Sequence, residues 1–266
     1  MGYGLTFQDV STINRPRPTK AAWGSVSPCT AMPEYSLHRI EILPGAVQPL
    51  HFHPDGEGNL FVESGDVLLR MLDEAGRPQA CTVRQGSWIA ITLHMVYSLG
   101  SKTGAVAYLA GPRVEELKSI VVERDDAARR AFAEAAESNV LDAGNATSNV
   151  LEKYWGRIET FADGDVAAKR LLVKRGGQSS MEFHVHKRET YFIHSGLLKI
   201  GLRVGRAENR SIVLKAGDSY DIRPGFMHMR MALEDTVIIE ASTRDSDSDS
   251  FLVEDGQTYK HIESPA

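Results

Sequence analysis

Short apolar runs rich in β-branched and aromatic residues, broken by single polar positions, dominate the chain: HRIEIL, NLFVES, VLLRML and SWIAI in the first half, KRLLVK, ETYFIHSG, SIVLKAG and TVIIEAS in the second. Short runs of this composition, bounded by turn residues, predict β-strands. Glycine-centred turns (LPG, ESGD and RQG, then RGG, HSG, KAG and RPG) separate the runs at about 8 to 12 residues, the rhythm of an all-β barrel or sandwich. One stretch breaks it. An Ala/Glu/Arg-rich segment from about Glu123 to Glu137, with Asp125 and Asp126 early in it, predicts a helix, and the polar DAGNATSN that follows predicts a boundary.

The two sets of runs are copies. A shift of 131 positions lays Gly45 on Gly176, His53 on His184, Phe61 on Phe192, Ser64 on Ser195, Gly65 on Gly196 and Gly86 on Gly217, without a gap from 45 to 97. A repeated all-β unit predicts two tandem antiparallel barrels. The expected boundaries are 1–120 for the first barrel, 121–148 for a helical linker and 149–266 for the second barrel.

Composition narrows the classes of function. The 266 residues are 42% apolar and 24% charged, as in soluble globular proteins of one large or two ordinary domains. A formal charge of −5 with scattered Lys and Arg argues against a nucleic-acid partner, because phosphate binding needs a concentrated basic surface. No apolar run approaches the roughly 20 residues that span a bilayer, and the start, MGYGLTFQDV, has no basic-then-apolar leader. A cytoplasmic protein without a membrane partner is expected. Met1-Gly2 lacks the polybasic patch that would support a lipid anchor. Cys29 and Cys81 form neither a disulfide framework nor a CxxC knuckle, so both are expected to be reduced and structural. The acidic, serine-rich STRDSDSDS is expected to be a solvated turn or lid segment.

Candidate chemistry concentrates in SMEFHVHKRETYFIHSG, Ser180 to Gly196, where Glu182, His184, His186 and Glu189 fall within eight positions. Along a strand, Glu182, His184 and His186 share one face and Phe183 and Val185 the other. Further on, GDSYDIRPGFMH, Gly217 to His228, supplies a glycine turn, a Pro224-Gly225 corner and another histidine. Together the two stretches resemble the cupin superfamily, whose first motif is G-x5-HxH-x3/4-E-x6-G and whose second is G-x5-PxG-x2-H. Glu182 stands here at the first-histidine position. SMEFHVHKRE is also similar to the SLQYHxHxxE run of mannose-6-phosphate isomerase-like cupins, with Glu in place of Gln, and the tail IIEASTRDSDSDSFLVED looks like their acidic ending.

The resemblance implies a bicupin, two double-stranded β-helix (jelly-roll) barrels, with Glu182, His184, Glu189 and His228 holding one divalent transition metal: Zn, Mn, Fe or Ni. Two imidazoles and two carboxylates suit such an ion, and a four-residue shell leaves one or two positions for substrate. His186 is either a ligand in place of Glu182 or a proton-transfer group. In the first repeat His51 and His53 occupy the Glu182 and His184 positions, but Gly58 stands for Glu189 and Tyr97 for His228. A second metal site on His51, His53, Glu57 and Tyr97 would need altered geometry, since Glu57 is one residue early and His94 falls on the turn position of Gly225. The alternative is a structural or dimer-forming barrel.

The isomerase resemblance implies a metal-dependent isomerase or epimerase acting on a sugar or sugar phosphate, in carbohydrate metabolism. The metal would polarise the carbonyl and adjacent hydroxyl, and His186 would carry the C2 proton. Arg230, on the His228 face, and Lys187, at the barrel mouth, are the candidate cations for an acidic substrate. Two histidines and one carboxylate are equally the set of non-haem Fe(II) cupin dioxygenases, and a non-catalytic sugar- or metabolite-binding bicupin is a third reading. Oxalate-type bicupin decarboxylases share the HxHP of His51 to Pro54 but find no support at Gly58. The mainly polar interior positions of the second repeat point to a small hydroxylated molecule as partner, and monomer and homodimer both remain open.

Overall fold

The computed structural model describes residues 13–257 apart from 31, 54–55, 113–119, 122–125, 138–139, 142–144 and 147–148. The chain forms two units, Arg17–Ser148 and Asn149–Ala266, the latter joined by the segment that ends at Pro16. In the first, one sheet runs in the order Thr19–Ala21, Gly24–Pro28, Tyr35–Ile42, Ala105–Pro112, Gly58–Ser64, Ser87–Ile91 and Asn145–Ala146. The facing sheet runs Ile120–Val121, His51–Phe52, Tyr97–Gly100, Val67–Leu72, Pro78–Val83 and Val140–Leu141.

The second unit repeats this order. Asn149–Lys153, Gly156–Ala162, Val166–Val173, Thr236–Thr243, Glu189–Ser195 and Ser219–Ile222 form one sheet; Arg210–Lys215, Leu197–Val204, Phe226–Ala232, Met181–Phe183 and Phe251–Glu254 form the other. The shift of 131 carries Tyr35–Ile42 onto Val166–Val173 and Ala105–Pro112 onto Thr236–Thr243, so the repeat extends beyond the stretch visible in sequence. Each unit is a cupin-type double-sheet barrel.

Alternation fills both interiors from equivalent positions. Ile40, Val62, Leu69 and Val83 of the first core correspond to Leu171, Ile193, Ile200 and Leu214 of the second, all buried. Each such side chain contributes roughly 1.5–3 kcal/mol on burial. Cys29 and Cys81 are buried and not joined in a disulfide, as structural thiols would be.

The segment assigned to a linker packs on the first barrel instead. Its helix is described over Asp126–Glu137, the earlier positions lying outside the described residues, and it contacts Val67–Leu72 and Pro78–Val83. Arg70 alternates with the core residues Val67 and Leu69 and is paired to Glu137. This buried cation on the outer face of the sheet requires a cover that carries a counter-charge. Val140–Leu141 then adds to Pro78–Val83 and Asn145–Ala146 to Ser87–Ile91.

Gly65 and Gly196 end equivalent strands with φ of 70° and 88°, and a Cβ there would lie 2.2 Å from the Gly104 carbonyl oxygen or 2.3 Å from that of Asp235. Gly196→Ala is therefore expected to destabilise the second barrel by about 2–4 kcal/mol, from left-handed strain plus backbone displacement. Chemical denaturation would measure it.

Candidate metal centre

Register brings the first two groups together. Glu182, on the short strand Met181–Phe183, is the direct partner of His228 on Phe226–Ala232, so their side chains share a face. His184 lies just past that strand. The ligand atoms of Glu182, His184 and His228 all fall within 4.8 Å of one another.

Both imidazoles have a fixed tautomer. Nδ1 of His184 donates to the Asp249 carbonyl at 2.9 Å and Nδ1 of His228 to that of Phe226 at 3.1 Å, because a carbonyl can only accept. In the neutral rings Nε2 then carries a lone pair. His228 Nε2 is fully buried with no hydrogen-bond partner, and although it lies 2.8 Å from Glu189 Oε1 the two are not aligned to bond. A lone pair facing a carboxylate at that range needs a proton or a cation between them. Burial would lower the His228 pKa, but Glu189 and then Glu182 outweigh it and raise it. The donor set of two imidazoles and one carboxylate, with Glu189 beside it, fits a divalent transition ion.

Glu189 is otherwise engaged. It accepts the Tyr191 hydroxyl at 2.7 Å and the Lys187 ammonium at 2.7 Å, and Lys187 also meets Glu240 at 2.8 Å and Asp245 at 2.9 Å. Burial would raise Glu189, yet Lys187 and His228 hold it well below the usual carboxylate range. Burial would lower Lys187, and its three carboxylates raise it well above its ordinary value, so it stays charged. Asp245 is held down to about 2, burial being outweighed by Lys187 and Lys169.

Three expectations change here. His186 does not continue the inward face: the strand stops at Phe183, a bend follows, its ring is exposed and Lys187 turns inward. Lys187 is not at a solvated mouth but buried among carboxylates. Arg230 is not a free anion receptor. It is buried, donates to Glu182 Oε1 at 2.5 Å and lies 5.5 and 5.4 Å from the Trp155 and Tyr191 ring centroids.

Sequence reasoning missed Glu240, Asp245, Asp249 and Ser250. Glu240 had a signal, a lone acid in the apolar strand run TVIIEAS. The others come from STRDSDSDS, where nothing local ranks one acid above another. Far from being only solvated, this stretch returns to the cluster: the Asp249 carboxylate accepts the backbone N–H groups of Val185, His186 and Lys187, and Ser250 donates to Glu182.

In the first barrel His53 Nε2 is bonded to the Tyr97 hydroxyl at 2.6 Å, and the His51 ring lies 4.3 Å from that of Tyr97. Burial, with His51 and His38 nearby, lowers His53 to about 4. Glu57 is exposed, although it lines a pocket of about 20 Å³ with His53. A Cβ at Gly58, the Glu189 equivalent, would sit 2.7 Å from the Ala110 carbonyl oxygen, so no carboxylate fits there without moving the backbone. His94 takes the left-handed turn conformation, φ 62°, and is exposed. Among the described residues, Glu182, His184 and His228 are the group whose ligand atoms converge.

No protein-family model matches the chain, and no curated protein matches it. Solved structures do. The formate complex of Lactobacillus farciminis oxalate decarboxylase superposes with a TM-score of 0.69 at 16% identity, covering 92% of this chain and 89% of that one. Bacillus subtilis oxalate decarboxylase, in a study of its Mn(II) centres, gives 0.69 at 13% identity over 92% and 80%. The same enzyme at pH 4.6 gives 0.69 at 13% over 92% and 78%. At these identities the likeness is one of fold, and it spans both barrels.

Metal must displace a proton from His228 Nε2, so Zn(II) affinity is expected to keep rising above pH 6.5, through the raised His228 pKa, and chelator competition across pH would show this. In the metal-free protein the same group contributes stability that is full below 6.5 and lost as pH passes its raised pKa. Lys187→Met leaves three buried or half-buried carboxylates without their shared cation. A loss of roughly 3–5 kcal/mol is expected in denaturant titrations.

Proposed function

We propose that the second barrel holds one divalent transition metal on Glu182, His184 and His228, with Glu189 at its edge. The chain would then be a metal-dependent cupin enzyme that isomerises or epimerises a sugar or sugar phosphate. The observation that carries the metal is the buried, unpartnered Nε2 of His228, turned toward two carboxylates while its Nδ1 is tied to a carbonyl. The fold's likeness to an oxalate decarboxylase with Mn(II) centres supports the same reading.

When bound, the metal would supply Lewis acidity to a carbonyl and its neighbouring hydroxyl, acidifying the C–H between them. The chain's own residues orient that chemistry. Arg230 fixes the Glu182 carboxylate, and Lys187 fixes Glu189. Glu182 is the most exposed ligand, at 18% against 7% for His184 and 0% for His228, so substrate approaches on its side. Both cations are committed to carboxylates, so they do not serve as a phosphate receptor, and any phosphate group lies outside the cluster. His186, exposed on the bend, is the proton carrier from the rim rather than from the interior. The charged surroundings suit a small hydroxylated partner.

Two imidazoles and one carboxylate within 4.8 Å also match a non-haem Fe(II) dioxygenase, the second reading. Metal analysis of protein purified without added metal decides between them. About one equivalent is expected, absent from a His184→Ala/His228→Ala variant. Zinc, manganese or nickel supports the isomerase, which should then exchange solvent deuterium into the carbon beside a sugar carbonyl. Iron with substrate-dependent oxygen uptake supports the dioxygenase. Metal without turnover leaves a binding bicupin, and no metal even after reconstitution sinks the catalytic reading.

A further inference from the structure

We infer that Asp245–Glu254 is a strap that positions the ligands of the metal centre, with Asp249 and Ser250 as its positioning residues; the inference rests on the metal reading above. The strap closes along the ligand-bearing strand. Phe251–Glu254 pairs with Met181–Phe183, placing Leu252 against Glu182 and Phe251 against Phe183, whose rings stack at 5.2 Å.

Each polar residue of the strap that faces the site holds a different part of it. Ser250 donates to Glu182 Oε2 at 2.9 Å while Arg230 takes Oε1, so both oxygens of the ligand carboxylate are oriented. The Asp249 carbonyl accepts His184 Nδ1–H, which leaves Nε2 as the free lone pair. The Asp249 carboxylate gathers the N–H groups of Val185, His186 and Lys187 at 2.9, 3.0 and 2.8 Å. That bend turns Lys187 inward to hold Glu189, and Asp245 completes the grip on Lys187. One segment therefore sets two ligands directly and a third group through a lysine. Ser250 is exposed, so its bond to Glu182 adds nothing to a buried core.

The test separates positioning from stability. Zn(II) affinity is measured by chelator competition for the wild type, Ser250→Ala, Ser250→Thr and Asp249→Ala, with denaturation and amide exchange followed in the metal-free proteins. Ser250→Ala is expected to bind Zn(II) about 10-fold more weakly with unchanged metal-free stability, and Ser250→Thr to restore binding. Asp249→Ala is expected to weaken binding by about 10- to 100-fold and to speed exchange at Val185, His186 and Lys187. Variants that bind like a Zn(II)-binding wild type overturn the strap's role and leave the metal reading intact. A wild type that binds no Zn(II) overturns both.

Discussion

The second barrel depends on one constraint: a carboxylate and an imidazole lone pair 2.8 Å apart, both excluded from water. Neither can relax into solvent, and the Nδ1 bond to Phe226 prevents the ring from offering its other proton. Such a contact is tolerable only when positive charge enters it. In the metal-free protein Glu189 and Glu182 raise the His228 pKa and so favour a proton there, and a divalent ion placed among Glu182, His184 and His228 would supply positive charge more fully.

The surrounding charges serve the same constraint. Glu182, Glu189, Glu240 and Asp245 crowd near the ligands, and Arg230, Lys187 and Lys169 offset them through short, directed contacts. Buried charge of this density costs stability unless every member is paired. Pairing also orients each carboxylate, and a ligand held in position binds metal with less reorganisation. The strap extends this logic to the backbone, because Asp249 fixes the bend on which His184 and Lys187 sit.

The first barrel shows the same fold without the constraint. Where the second has Glu189, the first has Gly58 pressed against the Ala110 carbonyl, and where the second has His228, the first has Tyr97 bonded to His53. Burial disfavours charge on its clustered histidines, lowering His51 and pushing His38 and His53 down to about 4. The charges around the Glu189 and His228 positions are replaced as well: Lys187, Arg230 and Glu240 of the loaded barrel stand where the quiet one has Gly56, Leu99 and Leu109.

The sequence by itself determined the two-barrel architecture, since β-branched and aromatic runs, glycine turns and a register of 131 are local or periodic signals. Through its resemblance to the two cupin motifs it also pointed to the neighbourhood of Glu182, His184, Glu189 and His228. It misjudged His186 and Lys187, where a strand that stops at Phe183 inverts the expected alternation. Only the tertiary structure decided that Arg230 serves Glu182, that the helix covers Arg70, and that Asp249 and Ser250 reach the centre from about 65 residues away in sequence. The physical reason is that contact partners across a sheet are chosen by register and chain return, and a string of serines and aspartates carries no periodic mark of which one will arrive.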